Sequence, residues 1–174
     1  MSRPLINIAD AQTYSETSGE HFACTMTELA SVLPAKAIGA NITRVPPGKA
    51  AFPYHHHYAN EEHFFVLSGT GVLRLGDEIY DVKPNDYIVN PPGGPGRAHQ
   101  LINNGKEDLV YLAISTQLLP EVVGYPDSRK TGVRTSWSDD PSARALIADS
   151  AKSTVSYWQG EEGSRVAAAL SRKK

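Results

Sequence analysis

Histidine is the side chain that most readily ligates a transition metal near neutral pH, and this sequence concentrates it. Of six histidines, four lie between residues 55 and 63: His55, His56, His57 and His63. In Tyr54-His55-His56-His57-Tyr58 an extended backbone sends His55 and His57 to one face and His56 to the other. Two imidazoles on one face, two residues apart, can hold the same ion. Carboxylates follow at Glu61 and Glu62, and His99 opens a later apolar run. Imidazoles with one carboxylate suit Zn, Fe, Mn, Ni or Cu better than Mg or Ca, which take oxygen shells. Periodicity leaves the carboxylate open, because Glu62-Phe64-Val66 and Glu61-His63-Phe65-Leu67 are both plausible inward sets of one strand. A His-x-His pair taken alone also suits a surface loop that picks up metal adventitiously. His21 has no partner in sequence and receives no role.

The elements that must position these groups are strands. Helical periodicity is missing through the middle of the chain, where short apolar runs alternate with turn residues. The run 37–45 ends at Pro46-Pro47-Gly48, 62–67 ends at Ser68-Gly69-Thr70-Gly71, and 72–75 stops at Gly76-Asp77-Glu78. Further runs occupy 79–82, 87–90, 98–103 and 109–116. Short strands at such spacing predict an all-β fold, an antiparallel sandwich or small barrel. Alternating strands and helices, the mark of a parallel α/β sheet, are absent. Met1 to Glu20 is polar and irregular and reads as an arm. From Gln117 to Trp137, Pro120, Gly124, Pro126 and Gly132 indicate an extended arm. Asp140-Pro141 then has the form of an N-cap with proline at the first helical position, which predicts a short helix to about Ser150. A second short helix is expected over Gly163 to Arg172.

Composition bounds the rest. The 174 residues suit one domain with an appended arm, large enough to fold without a disulfide. Cys24 is the single cysteine and reads as a small buried apolar residue. The net charge of −2 is scattered, so a nucleic-acid partner is not expected. The basic tail Ser171-Arg172-Lys173-Lys174 reads as a solvated end. No apolar leader and no stretch of about 20 apolar residues occurs, so the expectation is a cytoplasmic protein without a membrane partner.

The arrangement from Pro47 to Asn103 resembles the cupin superfamily. The family's first motif places Gly, His-x-His, Glu and Gly in series; here Gly48, His55-x-His57, Glu62 and Gly69 take those places. The second motif runs Gly-Asp, Pro-x-Gly, then His-x3-Asn, matched by Asn85-Asp86, Pro91-Pro92-Gly93, His99 and Asn103. The chain departs from the pattern in the longer gap from Gly93 to His99 and in Asn85, which tolerates the left-handed turn otherwise taken by glycine. The resemblance implies a cupin double-stranded β-helix, a small antiparallel β-barrel or jelly roll. With it come an N-terminal arm over 1–36, the barrel over 37–116 and an extension with short helices over 117–174. It implies one divalent transition metal (Zn, Mn, Fe or Ni) held by His55, His57, Glu62 and His99, and leaves His56, Glu61 and His63 as non-ligands. It also implies a homodimer. Gly39-Ala40-Asn41-Ile42 and Tyr125-Pro126-Asp127-Ser128 are similar to bacterial single-domain cupins, some of which carry a sugar-phosphate isomerase label.

Four such ligands leave positions open on a five- or six-coordinate ion, the pattern of a working rather than a structural metal. The expectation is a metal-dependent isomerase, lyase or dioxygenase acting on a small polar metabolite, the alternative being a non-catalytic module that binds or senses a small ligand. No second catalytic group is evident from the sequence. Arg97, Arg74, Arg44 and Lys49 are candidates for binding an anionic substrate, although surface solvation suits each. Tyr54, Tyr58, Tyr87 and Tyr111 can line a pocket or form core.

Overall fold

The computed structural model describes residues 4–138, 140–157, 159–160 and 170. Its strands, in chain order, are β1 (Thr13–Ser18), β2 (Phe22–Glu28), β3 (Ile38–Val45), β4 (His56–His57), β5 (Glu62–Ser68), β6 (Gly71–Leu75) and β7 (Glu78–Val82). They continue with β8 (Tyr87–Asn90), β9 (His99–Ile102), β10 (Leu109–Thr116), β11 (Glu121–Tyr125), β12 (Lys130–Arg134) and β13 (Arg144–Ile147). Three antiparallel sheets result: β1-β2-β3-β10-β5-β8, β13-β12-β11-β4 and β7-β6-β9.

The alternation of the sequence decides which face of each strand is buried. In β5, Phe64 and Val66 point inward while Leu67 is exposed, so Glu62 shares the inward face two residues before Phe64. Cys24, Met26, Val45, Phe64, Val66, Leu73, Leu101, Leu109 and Tyr111 form the core between the sheets. Each fully buried aliphatic or aromatic side chain there contributes roughly 1.5–3 kcal/mol. Cys24 is part of this apolar core.

The ends of the chain differ from the sequence reading: the N-terminal arm carries β1 and β2, and the extended arm over 117–137 forms β11 and β12. Thr13–Ser18, polar and exposed on both faces, is a strand nonetheless. It lacks a hydrophobic period because neither face is covered. It is held by its ladder to β2 and by cross-strand hydroxyl contacts, Thr13 to Thr27 at 2.8 Å and Ser15 to Thr25 at 3.3 Å. The helix expected after Asp140 is not formed. Asp140 does cap, its carboxylate accepting from the Ser142 N–H at 2.9 Å, but the turn is a single 3₁₀ turn over Pro141–Ala143. The chain then continues as β13, because Arg144 to Ile147 satisfy their backbone groups against β12 instead of along a helix. The second expected helix, over Gly163 to Arg172, lies outside the described residues apart from Leu170.

Two contacts tie the extension to the barrel. Arg74 of β6 makes a two-pronged ion pair with Asp127, at 2.6 and 2.8 Å, while its guanidinium stacks 3.7 Å over the Tyr54 ring. Asn60, buried before β5, accepts from the Leu118 N–H at 2.7 Å and donates to the Leu118 carbonyl at 3.1 Å.

The glycines of the first motif are both left-handed, Gly48 at φ +73° and Gly69 at φ +77°. A Cβ on Gly48 would meet nothing within 4 Å, whereas one on Gly69 would lie 2.2 Å from the Asp108 carbonyl oxygen. Urea unfolding is therefore expected to show Gly48→Ala losing about 1 kcal/mol and Gly69→Ala losing about 2–4 kcal/mol, the left-handed penalty plus overpacking. Equal losses would contradict the steric account.

Candidate metal centre

The short strand β4 lies at the seam between the barrel and the extension. Its outer neighbour is β11, with Val123 opposite His57 and Gly124 opposite His56. His55, just before it, bridges to His99 of β9 through paired backbone bonds of 3.2 and 2.8 Å. The alternation predicted for the three histidines follows. His55 and His57 turn toward Glu62 and His99, while His56 points the other way, where its Nδ1 lies 2.8 Å from the Gly93 carbonyl oxygen. His56 packs so closely on Gly124 that a Cβ there would sit 2.1 Å from its Nε2. It is thus a buried, partnered histidine and not a surface one.

His55, His57, Glu62 and His99 each offer one ligand atom, and these atoms lie within 4.8 Å of one another. The structure thus brings together all four residues named from the motifs. Glu62 Oε2 is 2.9 Å from His99 Nε2, 3.5 Å from His57 Nε2 and 3.8 Å from His55 Nε2. Two of the three imidazoles are oriented from behind. His55 Nδ1 is 2.7 Å from the Pro53 carbonyl oxygen and His99 Nδ1 is 3.2 Å from that of Arg97. Donation to those carbonyls directs Nε2 of both rings toward the cluster. Glu61 and His63 are elsewhere, paired with each other at 2.7 Å, with His63 Nδ1 2.5 Å from the Tyr87 hydroxyl. His21 is exposed and outside the cluster.

Two functional candidates escaped the sequence reading. Glu121 is 2 % exposed and its Oε1 lies 3.8 Å from His57 Nδ1, on the side away from Glu62. It accepts from the Tyr58 N–H at 3.2 Å and is also bound by the Asn60 amide. Carboxylate, imidazole and cluster thus stand in line, the arrangement that raises the basicity of a ligating histidine. Asn90 is the cross-strand partner of Glu62, so their side chains share a face. It is buried, and neither its amide oxygen nor its amide nitrogen has a hydrogen-bond partner. An alternating strand ending in Asn before Pro91 was the available signal for Asn90. Glu121, in an isolated apolar run, had none.

Whether a cation fits can be judged from the side chains themselves. Both ring nitrogens of His57 are buried without a hydrogen-bond partner, the carboxylates on either side being too distant. Burial works against charge on Glu62, yet His57 and His99 hold it well below the usual carboxylate range. Burial pushes His55 down to about 4, the reverse of what Glu62 favours. His57 is also desolvated, but the Glu121 and Glu62 carboxylates push it up to about 9. Three imidazole nitrogens and one carboxylate oxygen, brought together here, form a donor set suited to a divalent transition metal.

Glu62 also forms part of the wall of a cleft of about 160 Å³ bordered by Glu28, Asn41, Ala113, Ser115 and Gln117. Of the earlier anion-binding candidates, Arg44 pairs with Asp108, Arg74 with Asp127, and Lys49 with the Glu20 carbonyl, so none of these three faces the cluster. Tyr54 and Tyr111 are buried in the fold, while Tyr58 and Tyr87 are exposed.

Comparison with known proteins agrees with this arrangement. Residues 41–115 match the Cupin domain family. An uncharacterized protein of Methanocaldococcus jannaschii is 37% identical over 71 residues, which are 41% of this chain and 54% of that one. The chain thus spans about half the length of that relative. A provisional sugar phosphate isomerase from Acidithiobacillus ferrooxidans is similar in structure, with a TM-score of 0.73 and 26% identity over 87% of this chain and 96% of that one. A cupin-superfamily sugar phosphate isomerase from Silicibacter pomeroyi shares the fold at a TM-score of 0.72 and 20% identity, covering 84% of this chain and 94% of that one.

Metal analysis of protein purified without added metal is expected to show near-stoichiometric loss for His57→Ala and His99→Ala and retention for His56→Ala. Glu121→Gln is expected to weaken metal affinity about 10–100-fold. Full metal content in the first two variants would refute the ligand assignment.

Proposed function

We propose that this chain, which carries a cupin domain over residues 41–115, is a metal-dependent isomerase of small hydroxycarbonyl metabolites, with His55, His57, Glu62 and His99 as ligands to one divalent ion. The observation that carries this reading is the dual position of Glu62, a member of the cluster and part of the wall of a polar cleft. The side chains of His55, His57 and Glu62 retain 14–19% exposure, so the cluster is not sealed. Similarity to the A. ferrooxidans protein over most of both chains supports the same reading.

When bound, the metal supplies Lewis acidity toward a carbonyl oxygen. The chain supplies the rest. Asn41, Ser115 and Gln117 offer amide and hydroxyl groups that bind and orient substrate hydroxyls. Glu28 is the cleft's carboxylate outside the cluster. It is held by the Tyr14 hydroxyl at 2.8 Å and the Ser31 hydroxyl at 2.9 Å. We assign it the proton transfer: it takes the proton from the carbon bearing the hydroxyl and returns it to the neighbouring carbonyl carbon, while the hydroxyl proton passes to the former carbonyl oxygen, so that hydroxyl and carbonyl exchange places. No oxidant or co-substrate enters the balance. Asn90, with a free donor and acceptor beside Glu62, positions the reacting oxygen.

Pairing of two copies through the open edge of β1 is part of the same proposal. Sedimentation that gives a concentration-independent monomer would refute it.

Turnover of a hydroxycarbonyl panel by metal-loaded protein is expected to be equal under air and under nitrogen. Glu28→Gln is expected to lower it at least 100-fold with metal content unchanged. Oxygen-dependent turnover would replace the isomerase with a dioxygenase, and ligand binding without turnover would replace it with a binding module.

A further inference from the structure

The sheet β13-β12-β11-β4 continues the cluster's face outward in register. His57 lies opposite Val123, Val123 opposite Gly132, and Gly132 opposite Leu146. The adjoining row runs Glu121, Arg134, Arg144. Directly opposed residues of antiparallel strands put their side chains on one face, so both arginines share the face that bears His57. On the other side of the Val123 row is Tyr125, whose ring lies 6.2 Å from that of His55.

An open cavity of about 450 Å³ is lined by Val123, Tyr125, Gly132, Arg134, Arg144 and Leu146. Like charges placed directly opposite across a ladder destabilise it. Among the described residues no carboxylate forms an ion pair with either guanidinium, although Arg44, Arg74 and Arg129 each have one. The carboxylate of their own row, Glu121, is engaged by Tyr58 and Asn60. Arg134 is held 5.0 Å from the Trp137 ring, and Trp137 donates to the Gln117 carbonyl at 3.1 Å. The cationic cavity is thereby fastened to the end of β10, where Gln117 also borders the cleft beside Glu62.

We propose that Arg134 and Arg144 form a phosphate subsite and that the substrate is a phosphate monoester of a hydroxycarbonyl compound. This rests on the reading that the reacting end lies at the metal cluster. A phosphate monoester carries about −1.5 to −2 charge at pH 7, which two guanidinium groups match in charge and in paired N–H geometry. A monocarboxylate would leave one of the two arginines unneutralised. From β4 to β12 is two strand spacings, roughly 10 Å, a distance that a short carbon chain bridges once the arginine side chains reach inward.

The test is calorimetric titration of metal-loaded protein with inorganic phosphate, glucose 6-phosphate and glucose, for the wild type, Arg134→Gln, Arg144→Gln and the double variant. Wild type is expected to bind glucose 6-phosphate at least tenfold more tightly than glucose. Each single variant should lose at least tenfold in affinity for inorganic phosphate, with metal content and melting temperature in phosphate-free buffer maintained. Inorganic phosphate should still bind to chelator-treated protein, since the arginines and not the metal hold it. Unchanged phosphate affinity in the double variant, or no phosphate binding by folded wild type, would overturn the subsite. Arginine-dependent binding with no isomerisation of any phosphorylated hydroxycarbonyl would leave the subsite standing and refute the isomerase instead.

Discussion

A carboxylate largely withdrawn from water needs compensation, and much of this structure is arranged to give it to Glu62. Removing a carboxylate from water without a partner costs several kcal/mol. Glu62 nevertheless lies on the inward face of β5, in line with Phe64 and Val66. Three imidazoles surround it from two other sheets, His55 and His57 at the β4 seam and His99 from β9. The backbone bridge between the sheets and the cluster therefore share residues. The His55–His99 bridge closes the backbone and in doing so aligns two of the nitrogens.

The extension belongs to this arrangement. A two-residue strand such as β4 has little independent stability, and β11 supplies its partner on one side. The same strand brings Glu121 behind His57, and Asn60 holds Glu121, Leu118 and the Thr116 hydroxyl in one buried network. Fully satisfied buried networks of this kind rigidify what they join. Gly124 lets β11 approach His56 without a clash. Residues after 116 thus pack behind His57, some 60 positions earlier, and they carry the arginine pair as well.

What was legible in the sequence was what depends on local period and motif spacing. The all-β rhythm, the opposite faces of His56 and His57, and the left-handed Asn85, at φ +74°, all follow from backbone alternation and turn chemistry. The choice between Glu61 and Glu62 was not local. It came from the family spacing, and the structure shows its physical basis in the burial of Phe64 and Val66 beside Glu62. The C-terminal helix failed for the converse reason: Asp140-Pro141 is a sound helix start, but a cap does not determine length, and the ladder to β12 took the following residues. Glu121 and Asn90 were invisible because each acquires its meaning from a residue far away in sequence, His57 and Glu62 respectively, and the Arg134–Arg144 pair because it exists only in the β12–β13 ladder, where the sequence reads as a helix start. Arg74 and Arg44 attracted notice as cations, yet each is neutralised by an aspartate that only the fold brings near.

The central claim is that one divalent metal is bound by these four side chains. Anomalous diffraction from crystals of metal-loaded protein, recorded on both sides of the metal's absorption edge, tests it most directly. A single strong peak is expected about 2.0–2.2 Å from Nε2 of His55, His57 and His99 and from a carboxylate oxygen of Glu62. A peak beside His56 or His63, or none at the cluster in protein shown to contain stoichiometric metal, would contradict it.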